Sequence, residues 1–157
     1  MKLEIGGVHR EGWLSLNIDR EWDANPDIIA DAFKPLPFKD GSFEELRSSH
    51  VIEHAGWDEI PTILKDWGRV IKSQGYIHLM CPNFEYHVKR YMEDKEMLLA
   101  KNGLMYGLYG QQNPPSMRHR AALDILWLGR YLEAAGFENA VWDHLNPWQL
   151  NVRARKK

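Results

Sequence analysis

Two histidines and a glutamate stand within five residues of one another, in the order His50, Glu53, His54. Imidazole and carboxylate groups are the side chains that most often accept or release a proton in catalysis. A further histidine, His119, lies in a segment without a clear secondary-structure pattern. We therefore take His50, Glu53, His54 and His119 as candidates for proton transfer to or from a substrate.

The same spacing, H-x-x-E-H, is the signature of the inverted zinc peptidases. Those enzymes need both histidines on one face of a helix, about one turn apart, so that they share a metal ion. Here His50 lies in a run that is predicted to be a strand, residues 46–52, and helical periodicity begins only near Trp57. If residues 50–54 are extended, the two rings are about 13 Å apart at ~3.3 Å per residue. The sequence therefore predicts no metal site and argues against a peptidase.

Glycine and aspartate follow three short apolar runs nearer the amino terminus, which span residues 3–5, 14–18 and 28–30. Gly6 and Gly7 follow the first run, Asp19 the second and Asp31 the third. In a parallel sheet, ligands bind beyond the carboxyl ends of the strands, where the strand order reverses. These residues, together with His50, are therefore expected to surround one ligand site.

The rest of the chain alternates between helical and strand-like patterns. Residues 57–71 carry one continuous apolar stripe at helical spacing, and residues 121–135 form a second helical stretch that Gly136 ends. A short link joins the last two strands, which favours an antiparallel pair. The sequence thus predicts an α/β fold, a doubly wound and mostly parallel sheet with a C-terminal antiparallel strand pair. The other predicted elements are a strand at 76–80, an irregular helix at 84–101, a glycine-rich lid or turn at 103–110, and strands at 137–142 and 149–154.

Four sequence blocks carry a resemblance to a known family. They read LPFKDGSF at residues 36–43, SHVIEH at 49–54, RVIKSQG at 69–75 and LEAAGF at 132–137. In this order and spacing they resemble the class I S-adenosylmethionine-dependent methyltransferases, particularly the type 11 group, from residue 3 to about residue 155. The resemblance implies a Rossmann-like fold, S-adenosylmethionine as cofactor, and transfer of its methyl group to an oxygen or nitrogen acceptor on a small molecule or saccharide.

The resemblance also implies roles for residues at the strand ends. Asp19 matches the carboxylate that accepts hydrogen bonds from both ribose hydroxyls. Asp31 and Ala32 match the pair that binds the adenine, one through its side chain and the other through its backbone N–H. His50 and the residues after it match the stretch that lies along the methionine portion and faces the substrate.

The first motif is shortened relative to the family pattern. Glu4, Gly6 and Gly7 are similar to its start, where glycines let the backbone approach the cofactor closely. Only eleven residues separate Gly7 from Asp19, which leaves no room for the helix that usually lies between the first two strands. The helix N-terminus that helps to hold the methionine end would then be missing. The alternative is a degenerate domain of this fold that serves as a non-catalytic binding or scaffold protein.

Composition sets limits on partners and compartment. The 157 residues suffice for one core, so we expect a single domain over residues 1–157. A net charge of −2 gives no electrostatic reason to expect nucleic acid as a partner, and no segment approaches the ~20 apolar residues of a membrane span. Cys81 is the only cysteine, which excludes an internal disulfide and favours a reducing cytoplasm. The oligomeric state is left open by the sequence.

Overall fold

A computed structural model of the chain describes residues 1–6, 11–17, 26–101 and 103–157. The strands within these ranges are β1 (Lys2–Ile5), β2 (Trp13–Asn17), β3 (Ile28–Ile29), β4 (Phe43–Ser49), β5 (Ile71–Pro82), β6 (Phe137–Trp142) and β7 (Gln149–Lys156). The α-helices are α1 (Ile60–Val70), α2 (Phe84–Glu93), α3 (Leu104–Tyr109) and α4 (Ile125–Ala134). The strands form one sheet in the order β3-β2-β1-β4-β5-β7-β6.

The strand order reverses at the centre of this sheet. β1 pairs in parallel with β2 on one side and with β4 on the other. β4 also pairs in parallel with β5, whereas β7 runs antiparallel to both β5 and β6. The predicted doubly wound, mostly parallel sheet with an antiparallel C-terminal pair is confirmed. Because ligands bind at such a reversal, the carboxyl ends of β1 and β4 mark the expected site.

The connection between β1 and β2 is unusually short for a parallel pair. Parallel neighbours normally require a crossover of a dozen or more residues, but only residues 6–12 lie between these two strands.

Helix α1 packs on the sheet through the apolar stripe that the sequence predicted. Ile60, Leu64 and Trp67 are completely buried. The indole Nε1–H of Trp67 donates to the carbonyl oxygen of Ala32 at 2.9 Å. The helix therefore fixes the segment that follows β3, at the edge of the sheet where the ligand site is expected.

Arg69, near the end of α1, fixes the loop that precedes β4. Its guanidinium donates to the backbone carbonyls of Leu36 and Phe38 and forms ion pairs with Asp40 and Asp66. Two neighbouring carboxylates raise the pKa of Arg69 further above its ordinary value through hydrogen bonds. Arg69, which belongs to the sequence block at residues 69–75, thus positions the loop that contains the block at residues 36–43.

Two predicted strands have other bounds in the structure. The strand predicted at residues 46–52 is β4 and ends at Ser49, because the backbone turns into the left-handed region at His50, with φ +55°. The strand predicted at 76–80 is the longer β5, which pairs with β4 at residues 71 and 76–80 and with β7 at residues 76–82. Residues 50–54 are therefore not an extension of a strand.

Two other predicted segments, one helical and one glycine-rich, also differ from the elements in the structure. The helix predicted at 121–135 begins only at Ile125, where the side chain of Asp124 caps it by accepting a hydrogen bond from the Trp127 N–H at 2.8 Å. The glycine-rich segment at 103–110 contains a short helix, α3, in place of a lid or turn. Among the described residues, no helix has the length and apolar character needed to cross a membrane.

Candidate functional site

A cavity of about 460 Å³ opens at the carboxyl ends of β1, β2 and β4. Gly6 follows β1, and Ser49 and His50 lie where β4 ends. Residues 115–118 and Arg120, which precede α4, form a further part of the wall. The remaining lining residues are Ile5, Leu16, Ala32, Phe33, Val51 and His54. The volume lies within the roughly 300–1,000 Å³ of small-molecule and cofactor sites, and the position is the one that the strand order predicts.

Gly6 keeps the end of β1 close to the turn after β4. Its φ is +72°, in the region that favours glycine, and its N–H donates to the carbonyl oxygen of Leu16 at 2.9 Å. A Cβ atom at this position would overlap a methyl group of Val51. Glycine is therefore required here for both conformation and space.

His50 is held by contacts on several sides of its ring. Its Nδ1 lies 3.1 Å from Oε1 of Glu53 and its Nε2 lies 3.3 Å from Oε1 of Gln149. The ring stacks on Trp148 with the centroids 5.9 Å apart. The hydrogen bond with Glu53 raises the pKa of His50 above its ordinary value, against the opposing effect of burial. His50 thus lines the cavity, and its ring is held in a fixed orientation.

Glu53 lies behind His50, in a turn of 3₁₀ helix formed by Ile52–His54. Its side chain is buried, with 2% exposed, and it does not line the cavity. Its backbone carbonyl oxygen accepts hydrogen bonds from the N–H groups of Arg120 and Ala121, at 2.8 and 3.1 Å. The turn after β4 is therefore joined to the segment that precedes α4.

His54 and His119 lie next to each other, with their ring centroids 5.1 Å apart. Nδ1 of His54 lies 3.0 Å from the carbonyl oxygen of Arg118, and Nδ1 of His119 lies 3.0 Å from that of Gly107. Burial lowers the pKa of His119 below its ordinary value. Of the two rings, only that of His54 lines the cavity.

The ring separation predicted for His50 and His54 rests on a backbone conformation that the structure does not have. The estimate of about 13 Å assumed an extended chain, but the backbone turns at His50 and then forms the 3₁₀ turn. The structure brings one possible ligand atom each from Glu53, His54 and His119 within 4.8 Å of one another. His50 is not part of that group, so the histidine that joins His54 comes from a distant segment.

The residues predicted to bind the cofactor have different places in the structure. Gly6, Ala32 and His50 line the cavity. Asp31 does not, and its Oδ1 accepts a hydrogen bond from the Phe33 N–H at 2.9 Å. Gly7 and Asp19 lie outside the described residues, so their predicted roles stay predictions.

Glu4, also predicted to bind the cofactor, lies within the sheet and not at its edge. It is completely buried in β1 and pairs with Arg47 of β4. It does not line the cavity. Its charge is balanced by that ion pair, so the contact of Glu4 with a cofactor stays a prediction.

Two arginines of the wall, Arg118 and Arg120, were not predicted to lie at the site. Their segment follows Pro114 and Pro115 and has no helical or strand-like period. The only sequence signal is that both arginines flank the candidate His119. Their position depends on the backbone hydrogen bonds between the segment and the turn after β4, which periodicity does not reveal.

Comparisons with protein families, curated sequences and solved structures show what this chain is similar to. Residues 15–79 match a family model described as a methyltransferase domain. No curated protein sequence matches this chain. The family match covers β2 through most of β5, and therefore the carboxyl ends of β2, β3 and β4.

Several solved structures share the fold over nearly the full length. An S-adenosylmethionine-dependent methyltransferase from Methanosarcina mazei is 17% identical, with a TM-score of 0.63, over 99% of this chain and 91% of that one. Another from Archaeoglobus fulgidus is 16% identical, with a TM-score of 0.65, over 99% and 85%. Human N-acetylserotonin methyltransferase, solved in complex with S-adenosylmethionine, is 15% identical, with a TM-score of 0.62, over 99% and 47%. These structures show that the chain has the Rossmann-like fold of S-adenosylmethionine-dependent methyltransferases, and its residues 15–79 are similar to the methyltransferase domain family.

Proposed function

We propose that this protein holds S-adenosylmethionine in the cavity at the strand-order reversal and transfers its methyl group to an oxygen or nitrogen acceptor on a small molecule or saccharide. The observation that carries the proposal is the cavity itself, about 460 Å³ at the ends of β1, β2 and β4. Gly6 lines this cavity at the end of β1, where a Cβ atom would overlap the lining residue Val51. A scaffold protein that binds no cofactor has no need of such an opening.

The cavity offers different chemistry at its two ends. Leu16, Ala32 and Phe33 provide an apolar wall on the side of β2 and β3, which suits an adenine ring. The end of β4 lies two strands away, at roughly 10 Å. Arg118 and Arg120 lie at that end, because their segment is hydrogen-bonded to the turn after β4. Cationic side chains there suit the carboxylate of the methionine portion.

These arginines compensate for a missing element of the family pattern. In the full motif, a helix N-terminus after β1 supplies positive charge to the methionine end. Residues 6–12 are too few for that helix. We infer that Arg118 and Arg120 supply the charge instead, from the other side of the cavity. Asp19 and Asp31 stay our candidates for the ribose and the adenine, as the resemblance implies.

The double substitution Arg118→Ala with Arg120→Ala tests this role. Both side chains are exposed or partly exposed, so we expect a moderate loss of about fivefold or more in affinity for S-adenosylhomocysteine, roughly 1 kcal/mol. Adenosine lacks the carboxylate, and its affinity should not change. Titration calorimetry with both ligands measures the two effects. Arg130→Ala, an exposed arginine of α4 that does not line the cavity, is the control. Equal losses for both ligands would contradict the assignment.

The bound cofactor supplies an electrophilic methyl group on a sulfonium ion. The protein must hold the acceptor in line with that group, and positioning of this kind supplies much of the rate of a transfer. His50 is our leading candidate for the proton of a hydroxyl acceptor, because its ring lines the cavity and Glu53 holds its Nδ1. His54 also lines the cavity and is the second candidate. Glu53 and His119 do not line it, so neither is placed to contact the acceptor.

Methyl transfer itself is tested with radiolabelled S-adenosylmethionine and a panel of small hydroxyl and amine compounds and saccharides. We expect label to pass to at least one acceptor, and we expect His50→Gln to lower kcat with that acceptor more than it changes KM. Formation of S-adenosylhomocysteine in step with the labelled product confirms transfer. If the protein binds the cofactor but methylates nothing in the panel, the proposed acceptor class is wrong.

We further propose a reducing compartment such as the cytoplasm. Cys81 is completely buried in β5, and burial raises the pKa of its thiol well above the ordinary value. The thiol therefore stays protonated and unreactive.

A further inference from the structure

Glu53, His54 and His119 form a cluster with the composition of a metal site. One possible ligand atom from each lies within 4.8 Å of the other two. Two imidazoles and one carboxylate are the ligand set of several catalytic zinc sites and of non-haem iron sites. The residues come from two separate segments, the turn after β4 and the segment before α4, so the fold itself brings them together.

The hydrogen bonds of the two histidines fix which nitrogen of each ring is available. Nδ1 of His54 and Nδ1 of His119 each contact a backbone carbonyl oxygen at 3.0 Å. A carbonyl only accepts, so both Nδ1 atoms must carry the proton and donate it. In a neutral imidazole Nε2 then has a free lone pair. Metal-binding histidines usually donate their other N–H to a carbonyl or carboxylate in this way, because the bond orients the ring and fixes the tautomer.

The carboxylate of Glu53 lacks a partner for one of its oxygens. Its side chain is 2% exposed. Oε1 is paired with Nδ1 of His50, but Oε2 has no hydrogen-bond partner among the residues that the structure describes. A buried charged oxygen without a partner has lost its hydration without compensation, which is unfavourable. A cation beside Oε2 would remove that cost.

We propose that Glu53, His54 and His119 bind a divalent transition-metal ion of the zinc type, with at least one coordination position left for water or substrate. Ligand atoms in a tetrahedral zinc site lie about 3.4 Å apart, from bonds of about 2.0–2.2 Å. Atoms within 4.8 Å of one another must come closer by at most about 1.4 Å to reach that spacing. This proposal differs from the sequence prediction of no metal, which considered only His50 with His54, whereas the second imidazole here comes from His119.

A metal ion at this position would also stabilise the wall of the cavity. His54 lines the cavity, and His119 lies between the lining residues Arg118 and Arg120. The ion would therefore bridge the turn after β4 and the segment before α4. The site does not depend on the proposed methyl transfer, so the test uses the metal alone.

The test is titration of the chelator-treated full chain with Zn²⁺, followed by calorimetry. We expect one ion per chain with a Kd in the micromolar range or tighter. His54→Gln and His119→Gln should each weaken binding by about 100-fold or more, since each removes one of three ligands. Glu53→Gln should also weaken it. His144→Gln is the matched control, because His144 is an exposed imidazole outside the cluster, and its Zn²⁺ affinity should equal that of the unchanged protein.

A second measurement avoids dependence on the variants. Co²⁺ added to the unchanged, folded protein should give the intense visible absorption of a four- or five-coordinate site, and Zn²⁺ should displace it. Circular dichroism shows whether each variant is folded. The proposal is overturned if the unchanged protein binds no Zn²⁺ at 100 µM, roughly −5.5 kcal/mol, or gives only the weak spectrum of aqueous Co²⁺. It is also overturned if folded His54→Gln and His119→Gln variants bind Zn²⁺ as tightly as the His144→Gln control.

Discussion

Replacing Gly6 with alanine is expected to lower the affinity for S-adenosylhomocysteine by at least about tenfold, roughly 1.4 kcal/mol. Gly6 has φ +72°, and a left-handed conformation costs a residue with a side chain about 1–2 kcal/mol. The new Cβ would also overlap a methyl group of Val51. Val51 lines the cavity, so relief of the overlap must move a wall of the site. Calorimetry measures the affinity, and urea unfolding measures the loss of stability.

Two further variants separate the causes of this loss. Gly12 has φ +78°, but a Cβ there would meet no atom of the described residues within 4 Å. Gly12→Ala should therefore destabilise the fold by a similar conformational cost while leaving cofactor affinity nearly unchanged. Adding Val51→Ala to Gly6→Ala removes the overlapping methyl group and should restore part of the affinity. If Gly6→Ala binds S-adenosylhomocysteine as tightly as the unchanged protein, the cofactor does not lie at the end of β1.

Replacing Trp67 with alanine is expected to lower the free energy of unfolding by about 3–5 kcal/mol. Trp67 is completely buried between α1 and the sheet. That loss is a large part of the ~5–15 kcal/mol by which a typical domain is stable. Trp67→Phe keeps most of the packing but leaves the carbonyl of Ala32 without its 2.9 Å hydrogen bond, at a cost of about 1–3 kcal/mol. Because Ala32 lines the cavity, Trp67→Phe should also weaken cofactor binding.

Urea unfolding followed by circular dichroism measures both Trp67 variants. Trp57→Phe is the control, since Trp57 is 69% exposed and its replacement should change stability by less than about 0.5 kcal/mol. A Trp67→Phe variant with unchanged stability and unchanged cofactor affinity would show that the contact with Ala32 does not position the site.

The sequence predicts the sheet well because its signals are local. Short runs that end in glycine or aspartate predicted the carboxyl ends of β1 and β3, where Gly6 and Ala32 line the cavity. The apolar stripe at residues 57–71 predicted α1, whose buried face is set by the helical period alone. The short link near the C-terminus likewise predicted the antiparallel pair of β6 and β7.

The rest of the site depends on contacts between distant segments, which periodicity cannot reveal. The run at 46–52 contains no glycine or proline, so nothing in it indicates the turn at His50 that ends β4. The same turn brings Glu53 and His54 toward His119, which lies 65 residues beyond His54 in the chain. The backbone N–H of Arg120 donates to the carbonyl of Glu53, and that tertiary bond places an irregular segment at the cavity wall. The short helix α3 was missed for a related reason, since glycine is a poor helix former.

The most direct test of the account is titration calorimetry of the unchanged protein with S-adenosylhomocysteine. We expect one site per chain with a Kd in the micromolar range, near −8 kcal/mol. S-adenosylmethionine should compete for the same site, and the Gly6→Ala variant should bind both ligands more weakly. If the folded protein gives no binding with either ligand at millimolar concentration, the cavity is not a cofactor site and the chain is a non-catalytic scaffold with a methyltransferase fold.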